Sequence, residues 1–239
     1  MSLYTAPSFP ITIGKKSDNE IITTNLITLP HLFVSFSEQE QVYLLLQRIT
    51  KEITLLSVQS QVRWIAALSN VAMDFCKENI DTNKLLFSFQ PNETENTEKN
   101  TKYRFWQNIS KELKKRKKYL ANNRTKFKEK HPTTIVLIED ILGMVITRKK
   151  YTGLYFLQLL IEGPSVGMHC VAFSGRAYKN LLSQLLQLHP KMQAELQKQM
   201  PQIDFTAHYP LGAELIVTPE DFYFFKKRSD KDYSRYFNI

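Results

Sequence analysis

The feature that most constrains the fold is an uninterrupted apolar run at Thr134–Ile138, which ends in two acids, Glu139 and Asp140. A run without polar alternation is typical of a strand in the middle of a parallel sheet that is buried on both faces. Other strand-like runs alternate with segments of helical periodicity, and this alternation implies right-handed crossovers. The sequence therefore predicts one three-layer α/β domain over residues 1–239, with a mainly parallel central sheet.

Periodicity and turn residues predict the remaining elements. The predicted strands are one or two within Ile11–Thr28, then His31–Phe36, Ile53–Val58, Lys84–Phe89, Met168–Ser174 and a C-terminal β-hairpin from Glu214–Thr218 and Phe222–Lys226. The predicted helices are Glu38–Lys51, Gln61–Lys77, Phe105–Lys128 with a break near Asn122, Gly153–Glu162, Tyr178–Leu188 and Lys191–Met200. The polar stretch at 90–101 predicts a mobile surface loop.

The positive charge of the chain is concentrated in one segment. The net charge is +9, and residues 102–130 contain twelve Lys or Arg against two Glu, so this segment alone carries +10. Five consecutive cations at Lys114–Lys118 encircle the predicted helix, and an anionic partner would relieve their repulsion. We expect contact with the phosphates of double-stranded DNA rather than base readout. The candidate residues are Lys111, Lys114, Lys115, Arg116, Lys117, Lys118, Arg124 and Lys126.

Several classes of protein are disfavoured by the composition. The chain has no apolar run of membrane-spanning length and no export signal at its start, so we expect a cytoplasmic protein without membrane insertion. Cys76 and Cys170 lie far apart in apolar stretches, which predicts buried reduced thiols and no metal site. His31 and His169 are interpreted as core histidines rather than ligands.

Three stretches of the chain carry motif-like sequence in a fixed order. They are Phe9–Lys15 leading to Leu29–Val34, then Thr134–Asp140, then Gly167–Ser174 with Arg176. In this order and spacing they resemble the motor domain of the FtsK/SpoIIIE DNA translocases, where similar stretches lead into the phosphate loop, form the Walker B strand and form the strand after it. The resemblance implies a RecA-like P-loop ATPase fold and a link to chromosome segregation.

The segment that would hold the phosphate loop, Ser35–Gln41, lacks the residues that bind phosphate. A phosphate loop needs glycines, whose backbone N–H groups wrap the phosphate, and a lysine that meets its charge. This segment has neither. The positions of the lost loop are Ser35, Ser37, Glu38 and Glu40, and the two carboxylates would occupy the helix N-terminus in place of phosphate. We therefore expect ATP and Mg²⁺ binding to be lost.

The Walker B position also departs from the family. The resemblance implies the order Asp-Glu, but the chain has Glu139 and Asp140, which displaces both carboxylates by about one methylene from positions that catalysis holds tightly. Gly175 replaces the glutamine that follows the third stretch in the family. We regard Glu139 and Asp140 as a degenerate Walker B pair, with no confident catalytic, nucleotide-binding or metal-binding residue.

The resulting hypothesis is a non-catalytic relative of the DNA translocases that binds DNA or assembles with a DNA-translocating motor. The alternative is a degenerate motor-like module of a secretion or conjugation machine that binds protein partners. An enzyme of other chemistry has no convergent nucleophile and base to support it. Without nucleotide at subunit borders, we expect a monomer or weak association. We also expect Ser35–Gln41 to lie between a central strand and the next helix, beside the strand that ends at Glu139.

Overall fold

The computed structural model describes residues 10–15, 21–25, 31–36, 39–56, 62–89, 95–145, 151–174, 213–217 and 223–226. Its strands are β1 Pro10–Lys15, β2 Ile21–Asn25, β3 His31–Phe36, β4 Val62–Ala67, β5 Leu85–Phe89, β6 Thr133–Ile138, β7 Met168–Ser174, β8 Ala213–Val217 and β9 Tyr223–Lys226. Its helices are α1 Gln39–Leu56, α2 Asn70–Cys76, α3 Glu95–Asn122, α4 Phe127–Lys130, α5 Ile141–Val145 and α6 Tyr151–Glu162. None of these described helices is long and apolar enough to cross a membrane.

The main sheet has seven strands in the order β5-β4-β6-β7-β3-β8-β9. The first six strands in this spatial order pair parallel with their neighbours, and the seventh, β9, pairs antiparallel with β8. A separate antiparallel ribbon consists of β1 and β2. The predicted α/β class with a mainly parallel sheet is confirmed. The connection between β8 and β9 lies outside the described residues, so the C-terminal hairpin stays a prediction.

The sheet is buried on both faces, and neighbouring residues of a strand contribute to different cores. Ile135 belongs to a core with α1 and α2, whereas the next residue, Val136, belongs to a core with α3, α5 and α6. All six residues of β6 are buried. A strand with two buried faces needs apolar side chains throughout, because each large one contributes about 1.5–3 kcal/mol when buried. The layers are therefore helices, sheet and helices.

His31 joins three elements inside this core. It is fully buried, its Nδ1 accepts a hydrogen bond from the Cys170 backbone N–H at 3.0 Å, and its Nε2 lies 3.0 Å from the Leu160 carbonyl oxygen. This geometry fixes a neutral imidazole with the proton on Nε2. His169 is also buried, in β7. Both histidines are core residues, as the sequence predicted.

Two secondary-structure predictions in the first third of the chain are wrong. The predicted strand at Ile53–Val58 begins inside α1, which continues to Leu56. β-branched residues are tolerated there because Ile53 is buried, and the Thr50 hydroxyl donates to the Leu46 carbonyl oxygen one turn earlier at 2.8 Å. Tertiary burial outweighs the strand preference of these residues.

The predicted helix at Gln61–Lys77 is wrong over Val62–Ala67, which form β4, and is confirmed only over Asn70–Cys76, which form α2. An apolar run such as Val62–Ala67 fits a buried strand and a buried helix equally well by periodicity alone. The helix begins only after Ser69, whose hydroxyl accepts a hydrogen bond from the Ala72 backbone N–H at 3.2 Å. This N-cap was a readable signal.

The basic helix is longer than predicted. α3 begins at Glu95, so the expected loop at 90–101 is helical from Glu95 onward, while 90–94 lie outside the described residues. Glu95 and Glu98 stand in the first turns, where carboxylates favour a helix N-terminus. The predicted break after Asn122 is confirmed by the turn before α4. The helices predicted within 178–200 lie outside the described residues.

β3, which precedes the expected phosphate loop, does not lie beside β6, the strand that ends at Glu139. β7 is inserted between β3 and β6 and pairs parallel with both. The expectation of direct adjacency is therefore wrong, although β3 leads into α1 as predicted. The carboxyl ends of β3, β7, β6 and β4 follow one another along the same edge of the sheet.

We expect both cysteines to resist alkylation in the folded protein. Cys76 and Cys170 are buried, and burial raises the pKa of the Cys76 thiol to about 11 and also raises the pKa of Cys170, so the reactive thiolate is scarce at pH 8. Iodoacetamide labelling followed by mass spectrometry should show no modification until denaturant is added. Rapid labelling of Cys170 without denaturant would contradict the described core.

Candidate functional site

The candidate site lies at the carboxyl edge of the parallel sheet, where ligands bind in α/β folds of this kind. Ser35 lies in β3 and Glu40 in the first turn of α1, so the chain passes from strand to helix where the phosphate loop was expected. Ser37 and Glu38 lie outside the described residues. The described residues thus show a strand followed by a helix, and the lost phosphate loop between them stays a prediction.

Glu139, which follows β6, is held by a serine from the neighbouring strand. The Glu139 side chain accepts a hydrogen bond from the Ser69 backbone N–H at 2.5 Å on Oε2 and one from the Ser69 hydroxyl at 3.0 Å on Oε1. The residue is only 8% exposed. Because Ser69 also caps α2, the carboxylate fixes the start of that helix. Glu139 therefore braces the end of β6 against the start of α2.

The direction in which the Glu139 side chain points matters for nucleotide chemistry. Ser69 follows β4, which lies on one side of β6, whereas β7 and then β3 lie on the other side. The Glu139 carboxylate therefore points away from the strand that precedes the expected phosphate loop. A carboxylate that orients Mg²⁺ or water must face the phosphates. This geometry matches a structural role for Glu139.

Asp140 differs from its neighbour in exposure and contacts. It is exposed, and its backbone carbonyl oxygen accepts a hydrogen bond from the Met144 backbone N–H at 3.0 Å, which begins α5. Its carboxylate lies against Gly143, where a Cβ would come within 2.3 Å of Asp140 Oδ2. A carboxylate over the first turn of a helix is favoured by the exposed N–H groups there.

A small cleft opens beside these two acids. Its volume is about 170 Å³, which is below the range of about 300–1,000 Å³ that small-molecule sites occupy. It lies at the ends of β4, β5 and β6 rather than at β3. Its lining residues are Ala67, Ser69, Phe89, Lys102, Glu139, Asp140, Gly143 and Met144. The cleft is therefore too small to enclose a nucleotide.

The second candidate surface is α3, which has one buried and one exposed side. Its buried side chains recur at helical intervals and include Phe105, Trp106, Ile109 and Leu113. The Trp106 indole N–H donates to the Met144 carbonyl oxygen at 2.8 Å, which ties α3 to α5. The helix is therefore fixed on the core, and its rotation decides which cations reach solvent.

Arg116 is on the buried side of α3, so its predicted role in nucleic-acid binding is wrong. Its side chain is 0% exposed. The guanidinium donates to the Pro132 carbonyl oxygen at 3.0 Å, the Val166 carbonyl oxygen at 3.2 Å and the Thr134 hydroxyl at 2.6 Å. Its Nε donates to Glu112 at 2.9 Å. A guanidinium enclosed in this way cannot contact a partner, and it anchors α3 to β6 and to the turn before β7.

The same carboxylate, Glu112, serves several neighbours. It pairs with Arg116 and with Lys115, and its Oε1 lies 4.0 Å from Nδ1 of His131. His131 packs against the Tyr119 and Phe127 rings. Burial, followed by the charge of Arg116, lowers the pKa of His131, so this imidazole is neutral at pH 7.

The other predicted cations are exposed, and two of them have acidic partners. Lys115 lies 3.6 Å from Glu112, and Lys117 lies 3.2 Å from Glu162 on α6. The remaining predicted cations are Lys111, Lys114, Lys118, Arg124 and Lys126, and all five are exposed. The spacing of Glu112 to Arg116, four residues along a buried stripe, was the signal that could have separated Arg116 from this set.

Replacement of Glu139 should destabilise the protein far more than replacement of Asp140. Glu139→Ala leaves the Ser69 N–H and hydroxyl without their acceptor, which costs about 1–3 kcal/mol. The exposed neighbour supplies the control, since Asp140→Asn keeps a side chain that favours a helix start and should stay within about 0.5 kcal/mol. Urea unfolding measures both. Equal losses would show that the Glu139 to Ser69 contact contributes nothing specific.

Arg116 offers a second matched pair. Arg116→Met removes the buried partner of Glu112 and the guanidinium hydrogen bonds to the Pro132 and Val166 carbonyl oxygens, so we expect a loss of about 3–5 kcal/mol in the free energy of unfolding. Lys118→Met, on the exposed side of the same helix, should change it by less than about 0.5 kcal/mol. A stable Arg116→Met variant would refute the anchoring role.

Comparison with known proteins places the fold. No protein-family description matches the sequence, and no curated protein matches it. Among solved structures, ATPases 2 and 3 of Thermomonospora curvata EccC align over 90% of this chain with TM-score 0.55 and 16% identity. The EssC cytoplasmic domain aligns over 91% with TM-score 0.52 and 10% identity, and the pCW3 conjugation coupling protein TcpA over 78% with TM-score 0.53 and 12% identity.

The chain spans only part of these proteins: 34% of the EccC chain, 37% of the EssC chain and 53% of the TcpA chain. At such identities the similarity concerns the fold and leaves the activity open. It agrees with the parallel sheet and with the strand-to-helix passage after β3. The chain therefore has the RecA-like fold of P-loop ATPases.

Proposed function

We propose that this chain is a non-catalytic, motor-like module that works by binding partners and not by hydrolysing ATP. The observation that carries the proposal is the Glu139 carboxylate, whose two oxygens accept hydrogen bonds from Ser69 on the side of β6 away from β3. Hydrolysis needs a carboxylate free to orient Mg²⁺ or water at the phosphates. Here that position serves the packing of α2.

The residues around β3 support the same proposal. Ser35–Gln41 contains no glycine and no lysine, so it lacks the backbone freedom and the charge that hold a β-phosphate. The same stretch of sequence contains two acids, Glu38 and Glu40, where a phosphate loop needs positive charge. Loss of ATP and Mg²⁺ binding follows from these residues, whichever partner the module serves.

Fold similarity suggests the kind of molecular machine in which the module works. EccC is named a type VII secretion ATPase, its ATPases 2 and 3 have been solved with a signal sequence peptide, and TcpA is a conjugation coupling protein. By analogy, the module belongs to a secretion, conjugation or DNA-translocating machine, where it assembles with a motor or secretion protein. By the same analogy, the proposed location is the cytoplasm.

Direct binding of double-stranded DNA is a second candidate function. It is favoured by the exposed cations of α3, since five of the eight predicted positions are exposed and have no ion pair within the described part of the chain. The two candidates are compatible, because a module without ATP chemistry can bind DNA and a motor through different surfaces.

The proposal predicts that MgATP does not stabilise the protein. A ligand that binds only the folded state at 100 times its Kd adds about 2.7 kcal/mol. For a chain of this size that would raise the Tm by about 5–10 °C. We expect no shift with MgATP or MgADP, measured by thermal unfolding, and no phosphate release above a buffer control.

A saturable rise in Tm would overturn the loss of nucleotide binding. In that case Glu139→Gln separates two explanations. If the acid supports Mg²⁺, the variant should lose the nucleotide-dependent rise, whereas a purely structural Glu139 leaves the rise intact and lowers the Tm with and without nucleotide.

A further inference from the structure

β5 forms one edge of the main sheet. It pairs parallel with β4 on one side, and within the described part of the chain no strand pairs with its other side. An edge strand presents unpaired backbone N–H and C=O groups, to which another extended segment can hydrogen-bond. We call the unpaired side of β5 the open edge.

Two residues of β5 have backbone groups available at the open edge. The Phe89 carbonyl oxygen accepts a hydrogen bond from the Leu68 backbone N–H at 3.2 Å, so the backbone of Phe89 faces β4. Successive residues of a parallel strand face opposite edges, and the N–H and C=O of Ser88 therefore point away from β4. A register shift at the start of the strand leaves Leu86 without a partner in β4. Leu86 and Ser88 can thus pair with a further strand.

The side chains of β5 also favour pairing. Leu85, Leu86 and Phe87 are partly buried, and Ser88 is exposed. The strand contains no proline and no charged residue, which are common means of preventing pairing at the edge of a sheet. The Phe87 ring packs edge-on against Phe105 of α3, with 5.7 Å between the ring centroids. This contact holds an apolar edge strand in an extended conformation.

The surroundings of the open edge are positively charged. α3 lies over β5, because the Phe105 ring contacts both the Phe87 ring and the Phe89 ring. Residues 102–130, most of which belong to this helix, carry a net charge of +10. Lys84 immediately precedes β5, and the carboxylate of nearby Asp81 caps a short turn. A segment bound along the open edge therefore lies beside a strongly basic helix.

A second copy of this chain fits the open edge poorly. Two β5 strands that pair antiparallel are related by a two-fold axis perpendicular to the sheet. That axis places both copies of α3 on the same face, above two strands that are only about 4.8 Å apart. Charges at such short range are not fully screened at physiological salt, where the Debye length is about 8 Å. The two basic helices would repel each other.

We infer that the open edge of β5 binds an extended, acidic segment of a partner protein, which adds to the sheet as a further strand. The inference rests on the proposed function, in which the chain works by binding partners, and it names the chemistry of one partner. Backbone hydrogen bonds to Leu86 and Ser88 hold the segment, and apolar side chains at alternate positions contact the partly buried side chains of β5. Acidic side chains of the segment face α3, where their charge is complementary.

The test measures the binding of designed peptides to the full chain. In the acidic probe, valine and threonine alternate between two pairs of terminal glutamates, and in the basic probe lysines replace the glutamates. A third peptide has the acidic sequence with all of its central residues N-methylated, which removes their backbone donors. Fluorescence anisotropy of the labelled peptides gives the Kd of each.

Two variants of Ser88 separate backbone pairing from other contacts. Ser88→Pro removes the N–H that points to the open edge and keeps the hydrogen bonds between β5 and β4, since an edge strand tolerates proline where its N–H faces solvent. Ser88→Thr changes the side chain and keeps the N–H. Thermal unfolding of both variants checks that the fold is retained.

The acidic probe should bind the wild type and Ser88→Thr equally well. It should bind Ser88→Pro about 2- to 12-fold more weakly, which is the loss expected for one hydrogen bond. The basic probe should bind the wild type more weakly than the acidic probe does, and this difference should shrink as salt screens the charge of α3. The N-methylated peptide should show no saturable binding.

Four results would overturn the inference. They are no saturable binding of the acidic probe, equal binding of the N-methylated peptide, equal binding by a folded Ser88→Pro variant, and a wild-type dimer in sedimentation that Ser88→Pro dissociates. The last result would identify a second copy as the occupant. If Ser88→Pro does not fold, the N-methylated peptide decides the question by itself. The MgATP measurement depends on none of these results, so the two failures remain distinguishable.

Discussion

Burial of the parallel sheet on both faces is the constraint on which the rest of the structure depends. β6 has no solvent-facing side, so a polar group within it must form hydrogen bonds inside the fold. Charged side chains are found only after the strand ends. Glu139 stands at that end, where it is still mostly buried and accepts two hydrogen bonds from Ser69. A buried carboxylate needs hydrogen-bond donors to offset the loss of water. The contact that satisfies Glu139 also caps α2, so sheet and helix layer are joined through one side chain.

The same constraint explains the two kinds of cation on α3. A helix that covers one face of the sheet must bury a stripe, and Arg116 falls on that stripe. Its charge is tolerated because Glu112 lies beside it and because two carbonyl oxygens and the Thr134 hydroxyl accept its protons. Lys111 and Lys118 lie on the exposed side of α3, where they remain in contact with water. Rotation of one helix therefore divides a continuous basic sequence into an internal anchor and an external surface.

Some features of the fold and of the candidate site could be predicted from local sequence patterns, and others could not. The uninterrupted run at Thr134–Ile138 predicted a central strand, because burial on both faces leaves a pattern without alternation. The same lack of alternation misled the assignment of Val62–Ala67, which was read as helix, and only the Ser69 cap marked the true helix start. The Glu139 to Ser69 contact joins residues 70 positions apart, and no local pattern encodes it. Arg116 was placed wrongly because five consecutive charges were taken to encircle an isolated helix, whereas the apolar stripe decides which of them is buried.

The proposed loss of nucleotide chemistry and the exposed cations of α3 are connected through rigidity. A motor converts hydrolysis into work only if an element near the nucleotide has two arrangements that also bias the partner surface. In this chain the acid that would sense the nucleotide is held by Ser69, and α3, which carries the exposed cations, is fixed by Arg116 and Trp106. Both anchors favour one arrangement. Under the proposed function, a surface presented in this way suits constant binding, in which the partner, and not a nucleotide cycle, determines when the module is engaged.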